Sequence, residues 1–274
     1  MFKIIIMALL IFIGMVGYDN ITDKAQPTTP VQQEQQKISK HEKSAAMALF
    51  TSLLPPKEEW PSPVHKFYLA FNMDEVIDPI RQNPNWTSLD AMSRDIPQAL
   101  IAIEDHGFYN HGAIAVEGIL RAALANINAG EVVQGGSTLT QQFVKNVFLS
   151  HEQSMERKIE EAVLSLMLED NYSKDEILEL YLNTTYFGAG STGIKHASRT
   201  YFGKAPSAMT LAEAAVIASL PYAPTSLNPL ENPEGCKKRQ LLVLAAMHKY
   251  GMINQGQLAE AKAEKIRLTN GTVM

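Results

Sequence analysis

Apolar residues recur at helical spacing through most of the chain beyond residue 94, and that periodicity is the main structural signal. "DIPQALIAIED" carries Pro97 near a helix start, and "VEGILRAALANINAGE" ends on Gly130, a C-terminal stop signal. "MERKIEEAVLSLMLED", "SKDEILELYLNTTYF", "TLAEAAVIASL" and "CKKRQLLVLAAMHKYG" continue the pattern. "VHKFYLAFNMDEVI", from Val64, predicts a short strand ahead of these helices. No repeat of fixed period runs through the chain, which disfavours a solenoid, and the expected fold class is mostly α.

The N-terminal quarter reads differently. Residues Ile4 to Val16 are apolar apart from Gly14, with Lys3 before them and Asp19 and Asp23 after. Positive charge before and acid after predicts a cytoplasmic N-terminus and an exported body. The run is short for a full span, so it reads as a signal anchor or a cleaved signal, and the absence of an A-x-A site favours the anchor. From Asp19 to Pro63 the composition shifts to Gln, Lys, Glu, Pro and Thr, too polar to bury a core. The expected organisation is a membrane anchor at 1–18, a polar tether at 19–63, a folded domain at 64–268 and a tail at 269–274.

Two helical patterns contain acids in unusual settings. In "ALIAIEDHGFYNH", Glu104 and Asp105 close an apolar run and are followed by Phe108 and His111. A carboxylate at the edge of a buried element has a raised pKa and becomes a usable base, whereas the same acid at a solvated helix end is only a surface charge. In "RKIEEAVLSLMLE", Ile159, Ala162, Val163, Leu166 and Met167 fit one core stripe, yet Leu164 and Leu168 fall on the side of Glu161. A helix apolar nearly all round is buried, and an acid within it needs a partner or a task. Arg157 and Lys158, four and three residues earlier, can each reach Glu161, so a structural ion pair and a catalytic role both fit.

The stretch "GGSTLTQQFVKN" is poor core material. Thr138 and Gln141 have capping-box spacing, which starts a helix after Gly135 and Gly136 and stacks Thr138, Gln142, Lys145 and Asn146 on one face. A helix N-terminus backed by hydroxyl, amide and ammonium groups suits an anion rich in hydroxyls, such as a phosphate or a sugar; an ordinary capped surface helix is the plainer alternative. The G-x-x-x-x-G-K-[ST] order of a P-loop is missing. A net charge of -5 speaks against a protein that coats nucleic acid, and one cysteine, Cys236, can form neither an internal disulfide nor a cysteine-rich metal site.

"EDHGFYNH", "GGSTLTQQFVKN", "RKIEEAVLSLMLE", "KDEILELYLN" and "KKRQLLVL" occur in that order, and together they resemble the peptidoglycan glycosyltransferases of family 51 over roughly Ser88 to Leu268. The resemblance implies a lysozyme-like α-helical head lobe with a smaller membrane-facing jaw lobe. It also implies polymerisation of lipid II onto a growing glycan at the outer face of the cytoplasmic membrane, alongside other cell-wall synthesis proteins. Glu104 matches the catalytic base and Glu161 the second glutamate. Asp105, Phe108, His111, Ser137, Thr138, Gln142, Lys145, Asn146, Arg157 and Lys158 match substrate-binding positions. No resident metal ligands are implied, although a divalent cation, Mg or Mn, could share the charge stabilisation. Apolar residues between Ile114 and Ile127 would either dip into lipid or form a core helix. This sequence departs from the family pattern at His106 and Gly107, where arginines are usual, and at Ala113, where a glycine is usual. A lytic transglycosylase or muramidase, and a catalytically inactive membrane-tethered scaffold, are the rival readings.

Overall fold

The computed structural model describes residues 68–130, 135–149 and 154–274, so the N-terminal apolar run and the polar tether lie outside the described residues. The chain divides into two compact units, up to Met73 and from Asp74 onward. Of the first, only 68–73 are described; they form a helical turn in which Asn72 N donates to Tyr68 O at 3.1 Å.

The second unit is built from helices. In chain order these are α1 (Asp74–Arg81), α2 (Asp95–Glu104), α3 (Val116–Ala129), α4 (Leu139–Phe148), α5 (Met155–Asn171), α6 (Lys174–Thr184), α7 (Ile194–Phe202), α8 (Leu211–Ser219), α9 (Pro233–Lys249) and α10 (Gln255–Ala263). Extended pairing among the described residues is confined to two isolated bridges, Tyr186 with Thr192 and Arg267 with Val273. The mostly α expectation holds, whereas the strand expected after Val64 does not form where it is described. Asp74 and Glu75 occupy the first turn of α1, where the helix dipole favours acids, and Val76, Ile77 and Ile80 turn inward at i, i+1 and i+4. The helices α7 and α10 were not anticipated from sequence. Residues 269–274, expected as a tail, fold back so that Ile266 N and Met274 N each donate to the other residue's carbonyl oxygen, at 3.1 and 2.9 Å.

At the centre lies α8, in which every residue after Leu211 is buried. Its run of alanines lets α2 and α9 approach closely, and these three helices form one packed group. The one acid of α8, Glu213, is buried but satisfied, since it closes a capping box with Thr210 and receives the Lys204 ammonium at 2.6 Å. A second group forms where α4 packs against α5 and α6. The acid that ends α2 and the polar N-terminal segment of α4 belong to different groups, and the site arises where they meet. Among the described residues no helix is long and apolar enough to cross a membrane.

Candidate functional site

Burial of Ile96, Ala99, Leu100, Ile101 and Ala102 fixes α2 in the core and sets the rotation at which Glu104 leaves it. Gln142 Nε2 donates to Glu104 Oε2 at 3.0 Å, and the Tyr181 hydroxyl donates to Gln142 Oε1 at 3.0 Å. Burial pushes the Glu104 carboxyl above the ordinary glutamate range. The Gln142 hydrogen bond and the charges of Arg239 and Lys145 pull it partly back, and neighbouring Asp105 pushes it up. A half-buried carboxylate with raised affinity for a proton, hydrogen-bonded by one donor and within the field of two cations, has the character of a general base.

Asp105 faces the other way. Its Oδ1 lies 2.6 Å from His111 Nε2, and its Oδ2 accepts the backbone amide of Leu139 at 3.0 Å, the first amide of α4. Asp105 and His111 therefore clamp the end of α2 to the start of α4. Phe108 is fully buried beneath Lys174, whose Nζ lies 4.5 Å from the ring centroid. It supports the loop from the core, and the substrate contact expected of it is not available.

The capping box expected at Thr138 is present: Gln141 N donates to Thr138 Oγ1 and Thr138 N donates to Gln141 Oε1, each at 3.1 Å. The same hydroxyl donates to Ala113 O at 2.8 Å, and Thr138 is buried. Its polar atoms are thus committed to the fold, which corrects its expected substrate-binding role. Gln142 turns inward to Glu104, while Lys145 and Asn146 remain exposed further along α4.

The rotation of α5 differs from expectation. Its buried residues are Glu161, Leu164, Ser165, Met167 and Leu168, whereas Ile159 is 57% exposed. With apolar residues on both sides, packing against α4 and α6 selected the side that carries Glu161. Lys158 is the cation paired with that carboxylate, and its Nζ also donates to Ser137 Oγ at 3.2 Å. Arg157 Nε is buried without a hydrogen-bond partner among the described residues. Both acids are consequently tied to one segment: Glu104 through Gln142, and Glu161 through Lys158 and Ser137.

Among the described residues no group of three or more His, Cys, Asp or Glu could hold a metal ion, and the Glu161 carboxylate is already taken by an ammonium. The donor set does not fit a resident divalent cation.

Three further residues complete the site. The Arg239 guanidinium lies 4.0 Å from the Tyr222 ring centroid, has a buried Nε without a hydrogen-bond partner among the described residues, and acts electrostatically on Glu104. The buried face of α9 runs Cys236, Gln240, Val243, Leu244, Met247 and leaves Arg239 on its flank. Tyr181 sits on the buried face of α6, where its hydroxyl requires a partner. His106 stacks on Tyr250 with centroids 4.2 Å apart, and Arg121 of α3 lies 3.5 Å from its Nε2. Burial, with Arg121 next in weight, lowers the His106 pKa.

One face of α3 is open. Val116, Ile119, Leu120 and Ile127 are 46–75% exposed, which excludes a core role for them. The helix is nonetheless anchored near the site, because a Cβ on Gly136 would stand 3.0 Å from the Ile119 backbone. A larger residue there would have to push α3 back by a few tenths of an ångström.

A family model described as Transglycosylase matches residues 73–248. A putative transglycosylase of Cupriavidus necator is 40% identical over 194 residues, which cover 71% of this chain and 84% of that protein. Penicillin-binding protein 1A of Aquifex aeolicus is 44% identical over 176 residues, 64% of this chain and 24% of that protein. Penicillin-binding protein 2D of Bacillus subtilis is 44% identical over 181 residues, 66% of this chain and 26% of that protein. The chain spans about a quarter of the length of these penicillin-binding proteins.

Proposed function

The chain belongs to the transglycosylase family, and from that premise we propose that it polymerises the glycan of peptidoglycan from lipid II. Glu104 takes the proton from the 4-hydroxyl of the acceptor N-acetylglucosamine as that oxygen attacks C1 of N-acetylmuramic acid on the lipid-linked chain. The new C1–O bond forms as the bond to undecaprenyl pyrophosphate breaks, and the pyrophosphate leaves with the electron pair. A single displacement at an α-linked carbon gives a β-1,4 linkage with inversion, without a covalent intermediate.

The observation that carries this reading is the half-buried Glu104 carboxylate held by Gln142, with the charges of Lys145 and Arg239 acting on it. The leaving group is already stabilised, so cationic charge matters more than a strong general acid. Lys145, exposed on α4, is the best placed to meet the pyrophosphate. Ser137, Asn146 and Arg157 would extend the polar wall, while Lys158 and Glu161 orient one another beneath it. The exposed apolar face of α3 suits contact with lipid, in keeping with a head and a membrane-facing jaw, an N-terminal anchor and a catalytic domain on the outer side of the cytoplasmic membrane.

The test is polymerisation of purified lipid II. Wild type should give long glycan and Glu104→Gln none, with the variant's circular dichroism spectrum unchanged. Full activity of the variant would remove Glu104 as the base. Release of soluble fragments from purified cell wall, without polymer from lipid II, would replace this reading with a lytic one.

A further inference from the structure

We propose that Tyr181 is a positioning residue for the base, acting through Gln142, whose side-chain amide it locks in the one orientation that presents a donor to Glu104. This rests on Glu104 as the base and adds a third member to the site, contributed by α6.

A glutamine amide has an accepting and a donating end of nearly the same size, and nothing intrinsic decides which end faces a given neighbour. Here the two neighbours act together: the ionised Glu104 carboxylate only accepts and calls for the amide nitrogen, and Tyr181 holds the amide oxygen. Its ring is buried on α6, and its hydroxyl donates to Gln142 Oε1 at 3.0 Å. With the oxygen held there, the amide nitrogen is turned to Glu104 Oε2, also at 3.0 Å. The reversed amide would set its oxygen against the carboxylate, two acceptors face to face, and would give up the bond that the tyrosine proton makes to the amide oxygen.

The backbone beneath the relay is fixed as well. Gln142 N bonds to Thr138 O at 2.9 Å, the Thr138 hydroxyl is tied to Ala113, and Leu139 N is tied to Asp105. Rotation of the Gln142 side chain is the remaining freedom, and the tyrosine hydroxyl restrains it from the side away from Glu104. Burial, reinforced by the Glu104 charge, raises the Tyr181 hydroxyl far beyond its usual range, so it stays a donor wherever the enzyme works.

The charged and titratable groups acting on Glu104 are Asp105 beyond α2, Lys145 on α4, Tyr181 on α6 and Arg239 on α9. Gln142 is the neutral group among them whose hydrogen bond opposes the effect of burial. A freely rotating amide forfeits that bond for part of the time. The carboxylate then keeps its proton to a higher pH and loses its aim.

The experiment measures kcat and KM against pH with lipid II for wild type, Tyr181→Phe, Gln142→Ala and the double variant, with thermal melts of each. Tyr181→Phe should lower kcat about three- to tenfold, the range of one net hydrogen bond, with KM unchanged. It should also move the acidic limb of the kcat profile to higher pH. Gln142→Ala, which spares the tyrosine's core packing, should move the same limb, and the double variant should be no worse than Gln142→Ala alone. An unmoved limb, or losses that multiply in the double variant, would reduce Tyr181 to core packing and overturn the proposal. Activity retained by Glu104→Gln would instead remove the underlying base assignment. An inactive Glu104→Gln with an unmoved limb in Tyr181→Phe would sink the relay alone.

Discussion

His111 faces Asp105 with one ring nitrogen and its neighbour's carbonyl with the other: Nε2 is 2.6 Å from Asp105 Oδ1, and Nδ1 is 2.6 Å from Gly112 O. A carbonyl and a carboxylate only accept, so both nitrogens must donate, and the geometry calls for the imidazolium. The hydrogen bond to Asp105 is the main cause that raises the His111 pKa, opposed by burial.

A histidine held charged ties stability to pH in a defined direction. The folded value exceeds the ordinary 6.5, so the contribution is complete below that pH and is lost as pH rises through the folded value. Thermal melts of wild type should therefore decline on that side, and His111→Gln should remove this component. Curves that stay parallel would mean that the ring is not charged in the fold.

Glu104 follows the same sign, unlike an acid held by an ion pair. Its folded pKa lies above the ordinary 4.5, so between the two values the native state holds more protons than the unfolded chain and stability falls as pH rises. At neutral pH the buried carboxylate costs stability. Glu104→Gln should melt higher than wild type there while being inactive, and its advantage should vanish below pH 4.5. A lower melting temperature at neutral pH would mean that the carboxylate is a net structural asset.

Breaking the second acid's pair should act through stability. The Glu161 side chain is 2% exposed and that of Lys158 47%, so removing the cation strands a buried charge that water only partly reaches. Lys158→Met should cost about 2 kcal/mol, below the usual loss for a fully buried pair because this cation is half in solvent. Urea denaturation measures it, and adding Glu161→Gln should restore most of the loss. A double variant no better than the single would show that Lys158 acts elsewhere.

Lys145 has the contrary character, exposed and within electrostatic reach of Glu104. Lys145→Ala should leave the melting temperature in place and weaken binding of a lipid pyrophosphate about tenfold, since a charge-assisted hydrogen bond is worth ~1.5 kcal/mol. Binding should also lose part of its salt dependence. Unchanged affinity would assign the polar face of α4 another purpose.

Local chemistry was the legible part of this chain. Thr138 and Gln141 announce their cap because both partners lie within one turn, and Gly130 marks the end of α3 with a φ of +72°. The expected stripe on α5 failed for a physical reason: Ile159 and Leu164 are both apolar, and only contact with α4 and α6 decides which side is covered. The burial of Glu161 was nevertheless legible, because apolar residues flank it on both sides. Tyr181 and Arg239 were missed because they reach Glu104 from helices far along the sequence, and no local period encodes such a meeting. Thr138 was read as a ligand group because its hydroxyl's partner, Ala113 O, lies across the fold.

The absent side chain at Gly136 has a mechanical consequence. It lets the backbone of α3 rest against the strip that also carries Ser137 and the Thr138 cap, leaving the other face of the helix, with Leu120 and Ile127, open. Anything that covers that open face would therefore lie just across the helix from the strip leading into α4, the helix whose Gln142 holds Glu104.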